Sequence, residues 1–199
     1  MNYITTKDCL HNKVILISGG GSGIGRAAAI AFAKHGARLI LTGKSLKNLE
    51  FTYDQFLAEG FTPPLIHTID FESATEADYQ KINTVIFNEF GKLDGLLNNA
   101  GILGDKTPLE SYKVKMWKKV FDINVHAPFL LTKSLLPSLK ESKNASVIFT
   151  SSGVGKKARA YWGAYSLSKF ATESMMQIFS EELENTSNIR VNSIDPGSV

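Results

Sequence analysis

Tyr165 and Lys169 stand four residues apart in the stretch YSLSK. The pattern from Ala164 to Leu183 is helical, so both side chains fall on one face. A phenol with a pKa of about 10 exchanges protons poorly at neutral pH. An ammonium about 6 Å away favours the phenolate by roughly 2.8 kcal/mol at an effective dielectric of about 20. That is about two pKa units, which brings the phenol to about 8 and makes it a usable acid–base group. Ser152 precedes Tyr165 by thirteen residues and follows an apolar run. Its hydroxyl can hydrogen-bond a carbonyl oxygen and stabilise charge that develops there. Each feature also has a plainer reading. Y-x-x-x-K occurs as an ordinary surface pair, and Ser-Ser-Gly is common turn chemistry, for which Ser151 is the better candidate. His11, His35, His67 and His126 are scattered, and no metal-ligand spacing is found.

Such groups need a scaffold that brings distant segments together. Short β-branched or aliphatic runs supply candidate strands at Val14–Ser18, Arg38–Thr42, Leu65–Ile69, Leu93–Leu97, Ser146–Thr150 and Arg190–Ile194. Most are apolar throughout, as parallel strands buried on both faces are. Helical patterns lie between them. The first places Ile24, Ala27, Ala28 and Ala31 on one stripe and stops at Gly36. Others span 46–58 and 74–90. A long one spans 112–140, with a bend expected at Pro128. The last carries Leu167, Ala171, Met175 and Ile178 on one side. Six βα alternations without repeat or linker predict a single α/β domain over 1–199. Its core would be a doubly wound Rossmann-type parallel sheet with helices on both faces. The chain ends just after the sixth strand, and a further C-terminal part is expected to be missing.

Between the first strand and first helix, SGGGSGIG packs five glycines into Gly19–Gly25. A strand, a tight turn and a helix N-terminus make an anion site, because first-turn N–H groups lack partners and the helix dipole is positive there. The spacing is G-x-x-x-G-x-G at Gly19, Gly23 and Gly25, not the G-x-G-x-x-G of the common dinucleotide fingerprint.

Ser18-Gly19-x-x-x-Gly23-x-Gly25 resembles the cofactor turn of the short-chain dehydrogenases/reductases, with serine where threonine is usual. Asn98-Asn99-Ala100-Gly101 resembles the NNAG motif of that family. Tyr165-x-x-x-Lys169 matches its Y-x-x-x-K, preceded by Ser151-Ser152 at the usual distance. Asn124 in FDINV stands where the family carries a helix asparagine, and Pro196-Gly197 closes the sixth strand. Six elements in family order cover Ser18–Gly197, and WGAYSLSKFATESMMQ is similar to the bacterial YciK-type oxidoreductases. The resemblance implies a catalytic set of Asn124, Ser152, Tyr165 and Lys169, with Asn124 holding a water in a proton relay from Lys169. It implies cofactor contacts from Ser18, Gly19, Gly23, Ile24, Gly25, Asp70, Asn98, Ala100, Gly101, Tyr165, Lys169, Pro196 and Gly197. Asp70 would contact adenine and Asn98 would steady the central strands. Two long helices, 112–140 and 164–183, would pack against their copies in a homodimer or higher homo-oligomer.

The cofactor follows from a missing charge. Enzymes that prefer NAD hold the ribose with an acid about 20 residues after the glycines. No Asp or Glu occurs from Leu39 to Asn48; Gly43 takes that place and Lys44 follows it. An ammonium suits a 2′-phosphate, so NADP(H) is expected, with NAD(H) as the alternative. The reading is an NADP(H)-dependent oxidoreductase acting on a small-molecule carbonyl or alcohol. The alternatives are a nucleotide-binding module or sensor without turnover, and an epimerase or dehydratase on the same scaffold. Leu103, Val154, Tyr161 and Trp162 are candidates for an apolar pocket wall. A net charge of +3 is too mild to argue for nucleic acid. The single cysteine, Cys9, excludes an internal disulfide framework. No apolar run approaches a membrane span and the first residues are not of signal-peptide type, so a cytoplasmic location is expected.

Overall fold

A computed structural model describes Thr6 and residues 8–197. The first and last residues, Met1 and Val199, to which the leader and chain-end readings above extend, lie outside them.

Six strands form one sheet: β1 (Val14–Ser18), β2 (Arg38–Gly43), β3 (Leu65–Thr68), β4 (Gly95–Asn98), β5 (Ala145–Thr150) and β6 (Ile189–Ile194). Their order is β3-β2-β1-β4-β5-β6 and every pairing is parallel. This is the doubly wound Rossmann arrangement that the βα alternation predicts. The helices are α1 (Gly23–Lys34), α2 (Leu46–Ala58), α3 (Glu76–Phe90), α4 (Val114–Phe121), α5 (Ala127–Lys140) and α6 (Gly163–Glu184). Two apolar clusters sandwich the sheet. Ala29 of α1 and Leu49 and Phe56 of α2 cover Ile15, Ile17, Leu39 and Leu41 on one face. On the other, Ile82, Ile86, Leu131, Leu135 and Phe179 cover Leu16, Leu96, Val147 and Phe149. Among the described residues, no helix is long and apolar enough to cross a membrane.

Four local expectations change. Burial on both faces holds for β1 and β4, whereas edge strand β3 is half-buried and edge strand β6 alternates buried and exposed residues. The buried stripe of α1 is Gly25 and Ala29, not Ala27 and Ala31, which are exposed. Gly25 sets that phase, since the helix can approach the first turn only over a residue without a side chain. The long helical stretch begins at Val114 and runs on through a π-helical turn into α5, with helical dihedrals at both junctions. Asp122–His126 forms a π-helical turn, and Pro128 lies in the first turn of α5. Proline without an N–H is tolerated at that position. Finally, the α6 stripe is split, with Met175 packed against the core and Leu167 and Ile178 facing outward. Leu167, Phe170 and Ile178 are exposed while Ser166, Ser168, Lys169 and Thr172 are buried. Polar groups with partners to satisfy decide that phase, as the site shows.

Candidate active site

The C-terminal ends of β1, β4 and β5 open onto one groove. Connections leave β1 and β4 in opposite directions, so the groove lies at the switch point of the sheet, where ligands bind in such folds.

The glycine turn forms its floor. Gly19 and Gly23 have φ of +71° and +51°, which side chains rarely adopt. A Cβ on Gly25 would stand 2.3 Å from the Gly19 carbonyl oxygen, so no side chain fits there. Gly19 and Gly20 donate their N–H groups to the Thr42 carbonyl at 2.7 and 3.2 Å. A Cβ on Gly23 would meet nothing within 4 Å, so open space lies in front of the turn. Ser22 precedes α1 and makes no side-chain cap. Unpaired first-turn amides facing open space fit a diphosphate. Ile24 is half-buried in that first turn.

The other expected cofactor residues divide into two groups. Ser18 is buried, and its hydroxyl accepts the N–H groups of Asn99 and Ala100, both at 3.0 Å. It thereby stitches β1 to the segment after β4. Asn98 is buried too; its amide donates to Thr132 Oγ1 at 3.0 Å, and its Oδ1 has no protein partner. Gly101 lies against Asn124, where a Cβ would come within 3.3 Å of Oδ1. Lys44 and Asp70, expected to touch different parts of a cofactor, form an ion pair of 2.7 Å with each other. The hydrogen bond raises the Lys44 pKa and lowers that of Asp70. Pro196 and Gly197 lie exposed after β6, where the Gly197 N–H donates to Asp195 Oδ1 at 3.0 Å.

At the far end of β5, α6 brings Tyr165 and Lys169 to Ser152. The Lys169 Nζ lies 5.6 Å from the centre of the Tyr165 ring and donates to the Thr150 carbonyl at 2.6 Å. Lys169 is only 6 % exposed, and burial pulls its pKa down to about 8. The tyrosine behaves opposite to expectation. Burial raises its pKa, the Ser152 hydroxyl acts as a hydrogen-bond partner that draws it down, and the Asp195 charge raises it further. The expected drop assumed a solvated ammonium facing the phenol. The actual amine is desolvated and directed at a backbone carbonyl.

Asn124 sits in the π-helical turn, and its side chain is fully engaged. Oδ1 accepts the Ile102 N–H at 2.9 Å, while Nδ2 donates to the Ile102 carbonyl at 2.9 Å and to Ser168 Oγ at 3.0 Å. Ser168 in turn donates to the Tyr165 carbonyl at 2.7 Å. Ser166 donates to the Val154 carbonyl at 2.6 Å, which fixes α6 to the segment after Ser152. Sequence reasoning missed Ser168 and Ser166, although both lie in YSLSK on the Lys169 side of the helix. The Thr150 carbonyl carries no side-chain signal at all.

The expected apolar wall is not assembled as one surface. Val154 is buried, Leu103 is 41 % exposed, and Trp162 packs beside Tyr165 with ring centres 6.0 Å apart. Tyr161 instead joins Leu109, Leu167 and Phe170 around a separate cleft of about 420 Å³.

The family model for short chain dehydrogenases matches residues 13–199. The chain belongs to the short-chain dehydrogenase family. Among its relatives, the uncharacterized oxidoreductase YciK of Escherichia coli (strain K12) is 40% identical over 197 residues, which cover 99% of this chain and 77% of YciK. A short-chain dehydrogenase structure from Pseudomonas syringae is 46% identical with a TM-score of 0.98, covering 100% of this chain and 81% of that one. One from Shigella flexneri 2a (strain 301), complexed with NADP, is 41% identical with a TM-score of 0.93, covering 96% and 80%. Within this short-chain dehydrogenase, as in those relatives, the chemistry is that of an oxidoreductase.

Proposed function

We propose that this chain is an NADP(H)-dependent oxidoreductase that interconverts a carbonyl and an alcohol on a small molecule. The observation that carries the reading is the meeting of Tyr165, Ser152 and Lys169 at the end of β5, beside a glycine turn with open space before it. When bound, the nicotinamide supplies or accepts the hydride. The NADP complex of the Shigella flexneri relative supports the choice of cofactor. So does the absence of an acid after β2, where Lys44 stands instead. Lys44 would serve the 2′-phosphate by exchanging its carboxylate partner Asp70 for it, and Asp70 would then be free to face the adenine. The turn residues Gly19, Gly23, Ile24 and Gly25 would border the diphosphate. Ala100, Gly101, Pro196 and Gly197 would border the nicotinamide half. Ser18 and Asn98 would act by holding β1 and β4 in place.

In the direction of reduction, the Tyr165 phenol donates a proton to the carbonyl oxygen. Its raised pKa keeps it protonated at neutral pH, the state a general acid requires. Ser152 hydrogen-bonds the same oxygen and stabilises its developing charge. Lys169, titrating at about 8, can give and take a proton near neutrality and replenish the phenol. Asn124 supports that relay through its backbone. Its side-chain donors are spent on Ile102 and Ser168, which leaves the role to its backbone carbonyl. That carbonyl is therefore the group suited to hold a relay water.

The outward apolar residues of α6, Leu167, Phe170 and Ile178, together with Phe129 of α5, would be covered in a homodimer. The test of function is NADPH oxidation across a panel of carbonyl compounds, with Tyr165→Phe as control. Turnover with at least one compound, lost about 10²–10⁴-fold in the variant, supports the reading. Tight NADPH binding with no turnover on any compound favours a binding module. Turnover that survives in the variant removes Tyr165 from its role.

A further inference from the structure

The glycine turn is held from behind by two residues that belong to none of the motifs above. Arg26, in the first turns of α1, reaches across to α2. Its Nε donates to Thr52 Oγ1 at 3.1 Å, and its Nη2 donates to the Gly21 carbonyl. The guanidinium lies over the Phe51 ring, 4.5 Å from its centre, which fixes its plane. Thr52 is fully buried, and its hydroxyl reaches the Gly20 carbonyl at 3.3 Å and the Asn48 carbonyl at 3.1 Å. The turn also rests directly on its neighbours. A Cβ on Gly20 would stand 2.9 Å from Leu41, and one on Gly21 3.0 Å from Asn48.

Holding these carbonyls sets the amides. A trans peptide is planar, with its C=O and the next N–H pointing in opposite directions. Drawing the carbonyls of Gly20 and Gly21 back toward α2 therefore aims the N–H groups of Gly21 and Ser22 away from it. Those two N–H groups donate to no protein acceptor among the described residues. Arg26 forms no ion pair with a carboxylate among the described residues, so its charge remains behind the turn. Glycine has the most backbone freedom to lose, and a turn with five of them would bind a ligand poorly if it had to be ordered each time.

We infer that Arg26 and Thr52 are positioning residues for the cofactor diphosphate, presetting the Gly21 and Ser22 amides and tying the turn to α2. This rests on the NADP(H) reading above. The pair touches no reacting atom, so it governs cofactor affinity and not the chemical step.

The test compares Thr52→Val, which keeps shape and removes the hydroxyl, with Thr52→Ser, which keeps the hydroxyl. Arg26→Met is the second probe. NADPH affinity is read by titration calorimetry on the full chain. Thr52→Val and Arg26→Met each weaken NADPH about tenfold, or ~1.4 kcal/mol. Thr52→Ser stays within about twofold of the wild type, and kcat at saturating NADPH changes less than about twofold in all three. The double variant loses little more than either single one, as members of one network do. In the cofactor-free protein, amide exchange at 19–25 speeds up in Thr52→Val and not in Thr52→Ser. Adenosine 2′-phosphate, which lacks the diphosphate, binds all forms alike. A general loss of structure would instead lower affinity for both ligands and speed exchange in β1 and β5, and would overturn the inference. So would unchanged NADPH affinity in Thr52→Val and Arg26→Met. A wild-type chain that binds no NADPH at all overturns the cofactor reading itself, which separates the two failures.

Discussion

Lys169 should make the fold more stable as the medium becomes more alkaline. Its pKa in the folded chain is about 8, lowered by burial from 10.5. The unfolded chain therefore holds more protons than the folded one between those values, and stability rises with pH across that window. Below about pH 8 both states carry the charge, and the folded state bears the full cost of burying it. That cost is about 3 kcal/mol, from roughly 2.5 pKa units at ~1.36 kcal/mol each. Between pH 7 and pH 10 most of it, about 2–3 kcal/mol, is relieved. Solvent screening does not reduce this figure, since the side chain is almost wholly buried. Lys169→Met removes the titration and keeps most of the volume. The assay is urea unfolding of both proteins at several pH values. Other groups titrate equally in the two, so the difference between the curves isolates Lys169. Wild type should gain on the variant by about 2–3 kcal/mol from pH 7 to pH 10. A difference that moves by less than about 0.5 kcal/mol would mean that the amine keeps an ordinary pKa. The proton relay assigned to it would then lose its physical basis.

Asn124→Ala should cost about 2–4 kcal/mol, because it strands both backbone groups of Ile102 and removes a partner of Ser168. Thermal melting should fall by roughly 5–15 °C for a chain of this size. Lys44→Ala should lower the preference for NADPH over NADH on the order of tenfold, and Asp70→Asn should raise it by freeing the ammonium; parallel titrations with both cofactors check this. Gly25→Ala should cost about 1–3 kcal/mol from the clash with the Gly19 carbonyl. It should also abolish measurable NADPH binding, which unfolding and cofactor titration report together.

The sequence alone determined the sheet. Short runs that are mostly apolar leave little choice but parallel strands between helices, and the observed strands match them within about two residues. The spacing of the glycines, of NNAG and of Y-x-x-x-K located the groove, because each motif abuts the C-terminal end of a strand or starts the helix that follows. Only the tertiary structure decided the rest, since it depends on what lies opposite each residue. The apolar stripe of α6 marks one side of the helix without telling which polar residues are buried beside it. The burial of Ser166, Ser168 and Lys169 is explained only by partners on Val154, Asn124 and Thr150. The pairing of Lys44 with Asp70 joins the ends of β2 and β3, segments 26 residues apart whose contact no local pattern encodes. The pKa of Tyr165 depends on burial and on Asp195, thirty residues later in the chain, and not only on the lysine one helical turn away. Spacing along a chain reports which groups can share a face; desolvation and partner geometry require the packed fold.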